Sequence, residues 1–282
     1  MVTALKPFEY GRVLGLFEPL AYNLAVQAIV GGRAPGSVYA DFTDRPSVGL
    51  IWDGKAILFL SGEPEAGVES GFGEVLSESV LPEVADRGLL PWLRVVCPPA
   101  WEGRLAEALG AESIDRRIRY HYSLRELRVD RRKLLPADCR PIAVDPDLFA
   151  GAGPLGLDRL TAEILGTWGS LETFFEWGFG QALVAENRLV SWCLSEYNAP
   201  DECELGVETV RDRRRVGLAT IATAACVDYA LERGVSPKWH CWPENAGSVG
   251  VARAVGFIED LTYQVYLPKW AEFDSRLAAR GF

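Results

Sequence analysis

The same order of predicted secondary structure occurs in both halves of the 282-residue chain, and this repetition constrains the fold more than any other feature. In the first half, two short β-rich runs flank Asp53-Gly54, a strong signal for a two-residue hairpin turn. In the second half, residues 181–185 and 189–196 form another predicted hairpin, which turns at Glu186-Asn187. A helical segment precedes each hairpin, and helices and strands alternate after it. We therefore predict two α/β units related by a diverged duplication.

The spacing of turn residues and apolar runs gives approximate bounds for these elements. In the first half they are a helix at 20–31, strands at 38–42, 48–52 and 56–60, a helix at 71–86, a strand at 92–96 and a helix at 101–109. In the second half they are helical segments at 157–177, the hairpin, a strand at 202–209, a helix at 217–233, a strand at 238–242 and a further helix.

A charged stretch at 125–133 with little hydrophobic pattern is the best candidate for a domain boundary. We place one domain at 1–130 and the other at 131–282. The span from the hairpin turn to the glycine that ends the last predicted helix is longer in the second half, at 187–256, than at 54–110 in the first. Because the chemical motifs lie in the longer span, we expect the first domain to lack a cofactor site.

Charge and composition narrow the classes of function. The net charge is −10 and the chain has no basic tail, so nucleic acid and anionic membranes are disfavoured as partners. The start of the chain lacks the charged and apolar regions of a secretory signal, and no apolar run approaches the roughly 18 residues of a membrane helix, which predicts a cytoplasmic protein. The six cysteines show no C-x-x-C spacing, so we expect no metal site and no disulfide.

The most informative stretch joins a strand, a basic loop and a helix. The predicted strand ends at Thr209, and residues 211–215 hold four arginines and one aspartate, a net charge of +3. The predicted helix begins at Gly217. The first N–H groups of a helix have no acceptor within it and mark its positive dipole end. A basic loop that leads into such an end indicates an anion-binding site, and Gly217 and Ala219 leave the backbone open to a phosphate.

Two ordered motifs connect this stretch with a known family. Arg214-x-x-Gly217-x-Ala219 resembles the acyl-CoA signature of the GNAT superfamily, Gln/Arg-x-x-Gly-x-Gly/Ala, in its usual place between a strand and a helix. Downstream, Asn245, Ser248 and Gly256-Phe257 resemble the superfamily's Asn-x-x-Ala/Ser…Gly-Phe segment. Two matches in the expected order make the resemblance specific.

The resemblance extends to a bacterial GNAT subfamily with an N-terminal extension of this length, through residues 204–209, 239–242 and Asn245-x-x-Ser248. It is sharpest from Leu183 to Tyr266. The implied fold class is α/β (α+β), a GNAT fold with a mixed central β-sheet flanked by helices and a degenerate GNAT-like N-terminal half.

The same resemblance implies a set of acyl-CoA contacts. The backbone at 207–209 would pair with the pantetheine arm like an added strand, and the amides at 215–220 would hold the diphosphate. The arginines of the loop would supply charge for the phosphates, and Asn245 would bond the pantetheine amides with Ser248 beside it. The implied contacts are Val207, Glu208, Thr209, Arg214, Arg215, Val216, Gly217, Leu218, Ala219, Thr220, Asn245 and Ser248.

One position departs from the family pattern. Many GNAT enzymes carry a tyrosine seven residues after the asparagine, where it protonates the departing thiolate, and this chain has Ala252 there. Ser248, Tyr263, Tyr266 and water remain as alternative proton donors, and the sequence does not select among them.

Candidate bases lie on the strand that precedes the loop. Strand alternation places Glu204, Gly206 and Glu208 on one face. A carboxylate in this position can take the proton of an attacking amine, although both glutamates equally fit a solvated strand face. His240 lies within an alternating strand, and we interpret it as structural. The predicted catalytic residues are Glu204, Glu208, Ser248 and Tyr263.

Aromatic residues of the helical segment before the second hairpin are candidates for the acceptor site. Trp168, Phe174 and Trp177 follow helical spacing, which is also typical of core side chains. They are the best choice for an acceptor wall because this helix pair precedes the hairpin, where the resemblance implies that the acceptor binds.

These motifs predict an N-acyltransferase that transfers the acyl group of acetyl-CoA, or of another acyl-CoA, to a small-molecule or peptide amine by direct attack. The alternative is a non-catalytic acyl-CoA-binding sensor or scaffold, which Ala252 keeps open. ATP binding is disfavoured because Gly-x-x-x-x-Gly-Lys-Ser/Thr is absent from the sequence. The acceptor, the acyl length and the oligomeric state are not indicated.

Overall fold

The computed structural model describes residues 2–151 and 153–271. The described chain divides into two compact units, the first made of residues up to 118 together with 264–271, and the second of residues from 119 to 263. The division falls inside two long strands, so the boundary predicted at 130/131 lies within the second unit. These strands, β6 and β12, cover Ser113–Leu124 and Phe257–Lys269.

The first unit is a mixed α/β structure. Its strands are β1 (Thr3–Ala4), β2 (Ser37–Ala40), β3 (Val48–Trp52), β4 (Ile57–Gly62) and β5 (Arg94–Val96), with the ends of β6 and β12. Its α-helices are α1 (Leu24–Val30), α2 (Pro64–Ser70), α3 (Phe72–Val75), α4 (Leu81–Asp86) and α5 (Leu105–Leu109). Short 3-10 and π segments cover Pro7–Leu20, Leu76–Val80, Leu90–Trp92 and Pro99–Trp101.

The predicted first hairpin is confirmed. β3 and β4 pair antiparallel, and Gly54 takes the positive φ of 71° that the turn needs. Asp53 fixes the turn through Oδ1, which accepts the N–H groups of Lys55 at 2.8 Å and Ile57 at 2.9 Å. The next strand pair is parallel, from Ile57 opposite Arg94 onward.

The second unit repeats this plan with longer elements. Its remaining strands are β7 (Cys139–Ala143), β8 (Gly180–Ala185), β9 (Arg188–Asn198), β10 (Glu202–Thr209) and β11 (Ser236–Cys241). Its helices are α6 (Arg131–Leu134), α7 (Pro146–Phe149), α8 (Leu157–Trp168), α9 (Leu171–Trp177), α10 (Leu218–Leu231) and α11 (Ala246–Val255), with a 3-10 turn at Arg211–Arg213.

The sheet of the second unit runs in the order β6-β11-β10-β9-β8-β7. The predicted hairpin of β8 and β9 is confirmed, with positive φ of 50° at Glu186 and 59° at Asn187, as a primed turn requires. The apolar helix α10 packs on β8, β9 and β10, and α8 packs on β9. The mixed α/β class and the sheet flanked by helices are therefore confirmed.

The strand directions correct the internal alignment that the sequence suggests. β4 and β10 correspond, because each pairs antiparallel with the strand before it and parallel with the next strand in the sheet. The turn at Asp53-Gly54, between β3 and β4, thus corresponds to the connection between β9 and β10. The turn at Glu186-Asn187 comes one strand earlier, between β8 and β9. This offset accounts for the extra length that the sequence comparison gives to the second half.

Several elements are absent from the sequence-based prediction. The chain forms a 3-10 helix at Pro7–Leu20 before α1, and α1 begins at Leu24 instead of residue 20. The strands β6, β7 and β12 were also missed. The helical region predicted at 71–86 begins earlier, at Pro64. Gly71, in the left-handed region, lies between α2 and α3, so a helical segment precedes it as well as follows it.

Candidate functional site

Two parallel strands of the second unit separate part of the way along their length. β10 and β11 pair at only three positions, the last of which joins Glu204 to Lys238, yet β10 continues to Thr209 and β11 to Cys241. On their outer sides both strands stay paired, β10 with β9 and β11 with β6. Within the described chain no strand fills this gap, so an extended ligand can pair with the backbone there.

The loop after β10 presents backbone N–H groups to the end of this gap. Arg215 and Gly217 have positive φ, at 67° and 87°, and α10 begins at Leu218. The first hydrogen bond within the helix runs from the N–H of Ile221 to the carbonyl of Gly217 at 3.2 Å, and no side chain caps the helix. The amides of residues 218–220 therefore point out of the helix end, as an anion site requires.

Gly217 is suited to this position in two ways. Its φ of 87° lies in the left-handed region, which glycine adopts more easily than residues with a Cβ. A Cβ built on it would meet no atom within 4 Å, so the space in front of the helix end is open to a ligand.

The loop arginines fall into two groups. Arg213 pairs with Asp138 at 2.6 Å, and Arg214 donates to Glu208 and to the carbonyl of Thr209, both at 2.9 Å. These contacts fix the shape of the loop. Among the described residues, the exposed side chains of Arg211 and Arg215 have no ion-pair or hydrogen-bond partner, so their charge is available to a phosphate.

Asn245 and Ser248 lie where α11 begins. Asn245 Oδ1 accepts the N–H of Ser248 at 3.1 Å and so caps the helix. Ser248 Oγ accepts the indole N–H of Trp239, on β11, at 3.0 Å. Ala252 is fully buried in the core. It has no hydroxyl group, whereas the resemblance implies a tyrosine hydroxyl at this position.

The two predicted bases on β10 differ in their surroundings. Glu208 Oε1 accepts from Arg159 at 3.2 Å and from Arg214 at 2.9 Å, so its charge is neutralised by two guanidinium groups. Glu204 is only 8% exposed and lies next to His240, with Oε1 at 3.4 Å from Nε2. Of the two, Glu204 is the better placed to accept a proton.

His240 links Glu204 to another predicted residue. Its Nδ1 lies 2.9 Å from the hydroxyl of Tyr263, which is on β12 and buried. The structure therefore brings together Glu204 and Tyr263, through a histidine that the sequence pattern classed as structural.

Two acidic residues of the same region were missed by sequence reasoning. Glu196 is the extra residue of a bulge in β9, opposite the step from Glu204 to Leu205. A Cβ on Gly206 would overlap the Glu196 carboxylate, so this carboxylate lies directly over the strand that borders the gap. A bulge is set by strand pairing, and no local signal in the sequence marks it.

Glu163, on α8, is the second missed residue. Burial raises the pKa of Glu163 to about 7, opposed by the indole N–H of Trp192, which donates to Oε2 at 2.8 Å, and reinforced by the charges of Glu196 and Glu208. The sequence does contain a signal for this residue: Glu163 lies among the apolar positions of α8 that are buried, such as Leu160 and Ile164.

Replacing Glu163 by Gln is expected to stabilise the protein at high pH only. In the unfolded chain this carboxyl ionises near 4.5, and in the folded protein near 7, so the wild type loses stability as pH rises from 4.5 to 7. Glutamine keeps the acceptor for Trp192 and removes the ionisation, which is worth at most about 3 kcal/mol. Urea denaturation should show the variant more stable at pH 8 and equal to the wild type at pH 4.5. A gain of the same size at both values would contradict this explanation.

The three aromatic acceptor candidates do not share one environment. Trp168 and Phe174 are buried core side chains, and the indole N–H of Trp168 donates to the carbonyl of Ser195 at 3.1 Å. Trp177 is 45% exposed. Trp177 is thus accessible to solvent, whereas the other two are not.

The matching connection of the first unit has a different chemistry. After β4, α2 begins with Pro64, which has no N–H to offer, and carries Glu65 in its first turn. Residues 62–68 contain no lysine or arginine. An anion is disfavoured at this helix end.

Two further structural findings concern the described residues alone. Among residues 2–151 and 153–271, no group of three or more His, Cys, Asp or Glu side chains could hold a metal ion. In the same ranges, none of the helices combines the length and the apolar character needed to cross a membrane.

Comparison with known proteins gives a consistent picture. The chain is 22% identical over 258 residues to the uncharacterised N-acetyltransferase YdfB of Bacillus subtilis, covering 92% of this chain and 95% of that protein. It resembles the crystal structure of a GCN5-related N-acetyltransferase-like protein from Streptococcus suis, with a TM-score of 0.67, 22% identity, and coverage of 93% and 99%. It also resembles a tandem GNAT protein from the clavulanic acid biosynthesis pathway, with a TM-score of 0.54, 12% identity, and coverage of 94% and 97%.

These structural likenesses support the fold, and the family follows from the sequence itself. The model of the GNAT acetyltransferase family matches residues 15–266, which is most of the chain. This protein belongs to the GNAT acetyltransferase family.

Proposed function

We propose that this protein transfers the acyl group of acetyl-CoA, or of a related acyl-CoA, to an amine, and that the reaction takes place in the second unit. The observation that carries the proposal is the separation of β10 from β11 after Glu204 and Lys238, with an uncapped helix end and a basic loop at one end of the gap. This arrangement matches a ligand with an extended amide arm and a diphosphate.

The proposed contacts follow the chemistry of each part of acyl-CoA. The pantetheine arm pairs with the backbone at 207–209, and the diphosphate accepts the amides at 215–220. Arg211 and Arg215 face the phosphates. The side-chain nitrogen of Asn245 donates to a pantetheine carbonyl, since its oxygen already caps α11. The first unit holds no second acyl-CoA, because its corresponding helix begins with Pro64 and Glu65.

The proposed reaction is direct transfer. The amine lone pair attacks the thioester carbonyl carbon, a C–N bond forms and the C–S bond breaks with its electron pair on sulfur. Glu204 takes the proton that the nitrogen loses. Ser248 donates a hydrogen bond to the departing sulfur, and water supplies the proton that completes the thiol. Holding both reactants in register can contribute roughly 7 to 11 kcal/mol to such a reaction.

Glu208 has a supporting role in this scheme. Arg159 and Arg214 both bind the carboxylate of Glu208. Glu208 therefore holds the start of the arginine loop against β10, which borders the gap. On the acceptor side, Trp177 offers an exposed aromatic face to the amine substrate, and the buried side chains of Trp168 and Phe174 belong to the core of the same helix pair.

The test is turnover of acetyl-CoA with a panel of amines, measured as release of free thiol, beside calorimetric binding of acetyl-CoA. The panel should include aliphatic monoamines, polyamines, amino sugars and peptides with a free N-terminus. The expected result is binding of one acetyl-CoA per chain and amine-dependent thiol release. Binding without turnover on any amine would favour the alternative, an acyl-CoA sensor, and would overturn the enzymatic assignment.

A further inference from the structure

Both histidines of the chain lie in one cluster beside the gap between β10 and β11. The sequence contains two histidines, His121 and His240. They face each other across the β6–β11 ladder, with ring centroids 4.7 Å apart and ring planes at 68°. His121 donates from Nδ1 to the carboxylate of Asp260, because a carboxylate can only accept. Of the two histidines, only His240 lies on a strand that borders the gap, because β6 pairs with the other side of β11.

His240 occupies a particular place in this cluster. It lies on the part of β11 that no longer pairs with β10, and its side chain is only 7% exposed. Nδ1 contacts the Tyr263 hydroxyl at 2.9 Å. Nε2 is buried and lies 3.4 Å from Glu204 Oε1, and within the described residues it has no hydrogen bond of good geometry. The buried Nε2 of His240 thus faces the Glu204 carboxylate, and the two groups form no hydrogen bond of good geometry.

We propose that Glu204 and His240 act together as the acceptor of the amine proton, and that Tyr263 fixes the imidazole in the tautomer this requires. The inference rests on the proposed acyl transfer and adds a residue to it. His240 acts through Glu204 and is therefore a positioning residue in this scheme.

The proton moves in one direction during the step. In the resting state the Nδ1–H of His240 donates to the Tyr263 oxygen, which leaves the lone pair of Nε2 facing Glu204. As the amine attacks the thioester, its proton passes to the Glu204 carboxylate. The proton is then shared between Oε1 and Nε2, which turns a weak contact into a charge-assisted hydrogen bond. After the amide product leaves, the proton returns to water.

The charges around His240 favour this role. Burial, followed by the neighbouring ring of His240, lowers the pKa of His121, against the opposing effect of the Asp260 carboxylate, and so disfavours a proton on this second imidazole. Two other charged groups on the surrounding strands are already paired. Asp260 bonds His121 and Ser123, and Lys238 pairs with Glu202 at 2.8 Å. Glu204 is the anion next to His240.

The first test compares His240→Asn with His121→Asn. Asparagine keeps a polar atom at the Nδ1 position in both variants and removes Nε2. We expect His240→Asn to bind acetyl-CoA within 2-fold of the wild type and to lower kcat by about 10- to 100-fold, with the acid limb of the kcat/KM profile moved to lower pH by about one unit or more. His121→Asn should keep kcat within about 3-fold. Equal effects of the two variants, or an unchanged pH profile in His240→Asn, would overturn the proposal.

The second test does not depend on activity. In His121→Asn, the only imidazole NMR signals belong to His240, and their ¹⁵N shifts report which ring nitrogen carries the proton. Adding Glu204→Gln changes the group that faces Nε2 and should shift the Nε2 signal more than the Nδ1 signal. An unchanged Nε2 signal would overturn the pairing. If the wild type acetylates no amine but this shift is found, the pair stands and the proposed acyl transfer fails.

Discussion

Replacing Gly217 by Glu should lower the affinity for acetyl-CoA by at least about 100-fold. The residue has a φ of 87°, and a side chain in the left-handed region costs about 1 to 2 kcal/mol. The larger effect is electrostatic, because the new carboxylate would stand at the helix end that we assign to the diphosphate. Two like charges about 5 Å apart at an effective dielectric constant near 20 repel by about 3 kcal/mol. Calorimetric titration measures the change.

A matched variant separates the two causes. Gly217→Asn adds a side chain that tolerates the left-handed region and carries no charge. We expect its affinity to stay within about 10-fold of the wild type. If Gly217→Glu binds acetyl-CoA as the wild type does, the loop before α10 is not the phosphate site. Equal losses in both variants would assign the effect to backbone strain.

The second large effect is expected at Glu204. Glu204→Gln should lower kcat by about 100- to 1,000-fold, because general base catalysis contributes on this scale and the amide cannot take a proton. Acetyl-CoA affinity should stay within 2-fold, since Glu204 lies outside the phosphate loop. Steady-state kinetics with the best amine of the panel, beside a binding titration, measures both quantities.

Glu208→Gln is the matched control on the same strand. Glu208 binds Arg159 and Arg214, so its amide variant should loosen the loop and weaken acetyl-CoA binding with a smaller change in kcat. A large loss of kcat in Glu208→Gln, together with normal turnover in Glu204→Gln, would exchange the proposed roles of the two residues.

The parts of the fold that the sequence predicts well have local signals. The turns at Asp53-Gly54 and Glu186-Asn187 need residues that accept positive φ, and these residue types mark them directly. The helix at 217–233 was predicted within two residues at each end, because glycines at 217 and 234 lie on either side of an apolar run. Local chemistry alone determines these features.

The missed elements depend on tertiary pairing. β6 carries Arg116, Arg117 and Arg119, and most of its first residues are exposed, so it lacks the apolar alternation of a strand. β6 belongs to the sheet because its backbone pairs with β11, which the sequence of β6 alone does not indicate. The 3-10 helix at Pro7–Leu20 contains two glycines and an internal proline, which give no helical period.

The candidate site divides in the same way. The phosphate loop is a continuous stretch of chain, so its residues could be named from the motif. The other side of the site combines residues from five strands and a helix, with Tyr263 bonded to His240 across 23 positions and His121 paired from β6. Strand alternation gives the face on which a side chain lies, but it does not identify the neighbours. For this reason His240, Glu163 and Glu196 were not recognised from the sequence.

The most direct test of the central claim is a crystal structure of the protein with acetyl-CoA. The predicted result is one ligand per chain, with the diphosphate on the amides of residues 215–220 and the pantetheine arm between β10 and β11. Diphosphate density in the first unit, or anywhere away from the start of α10, would contradict it.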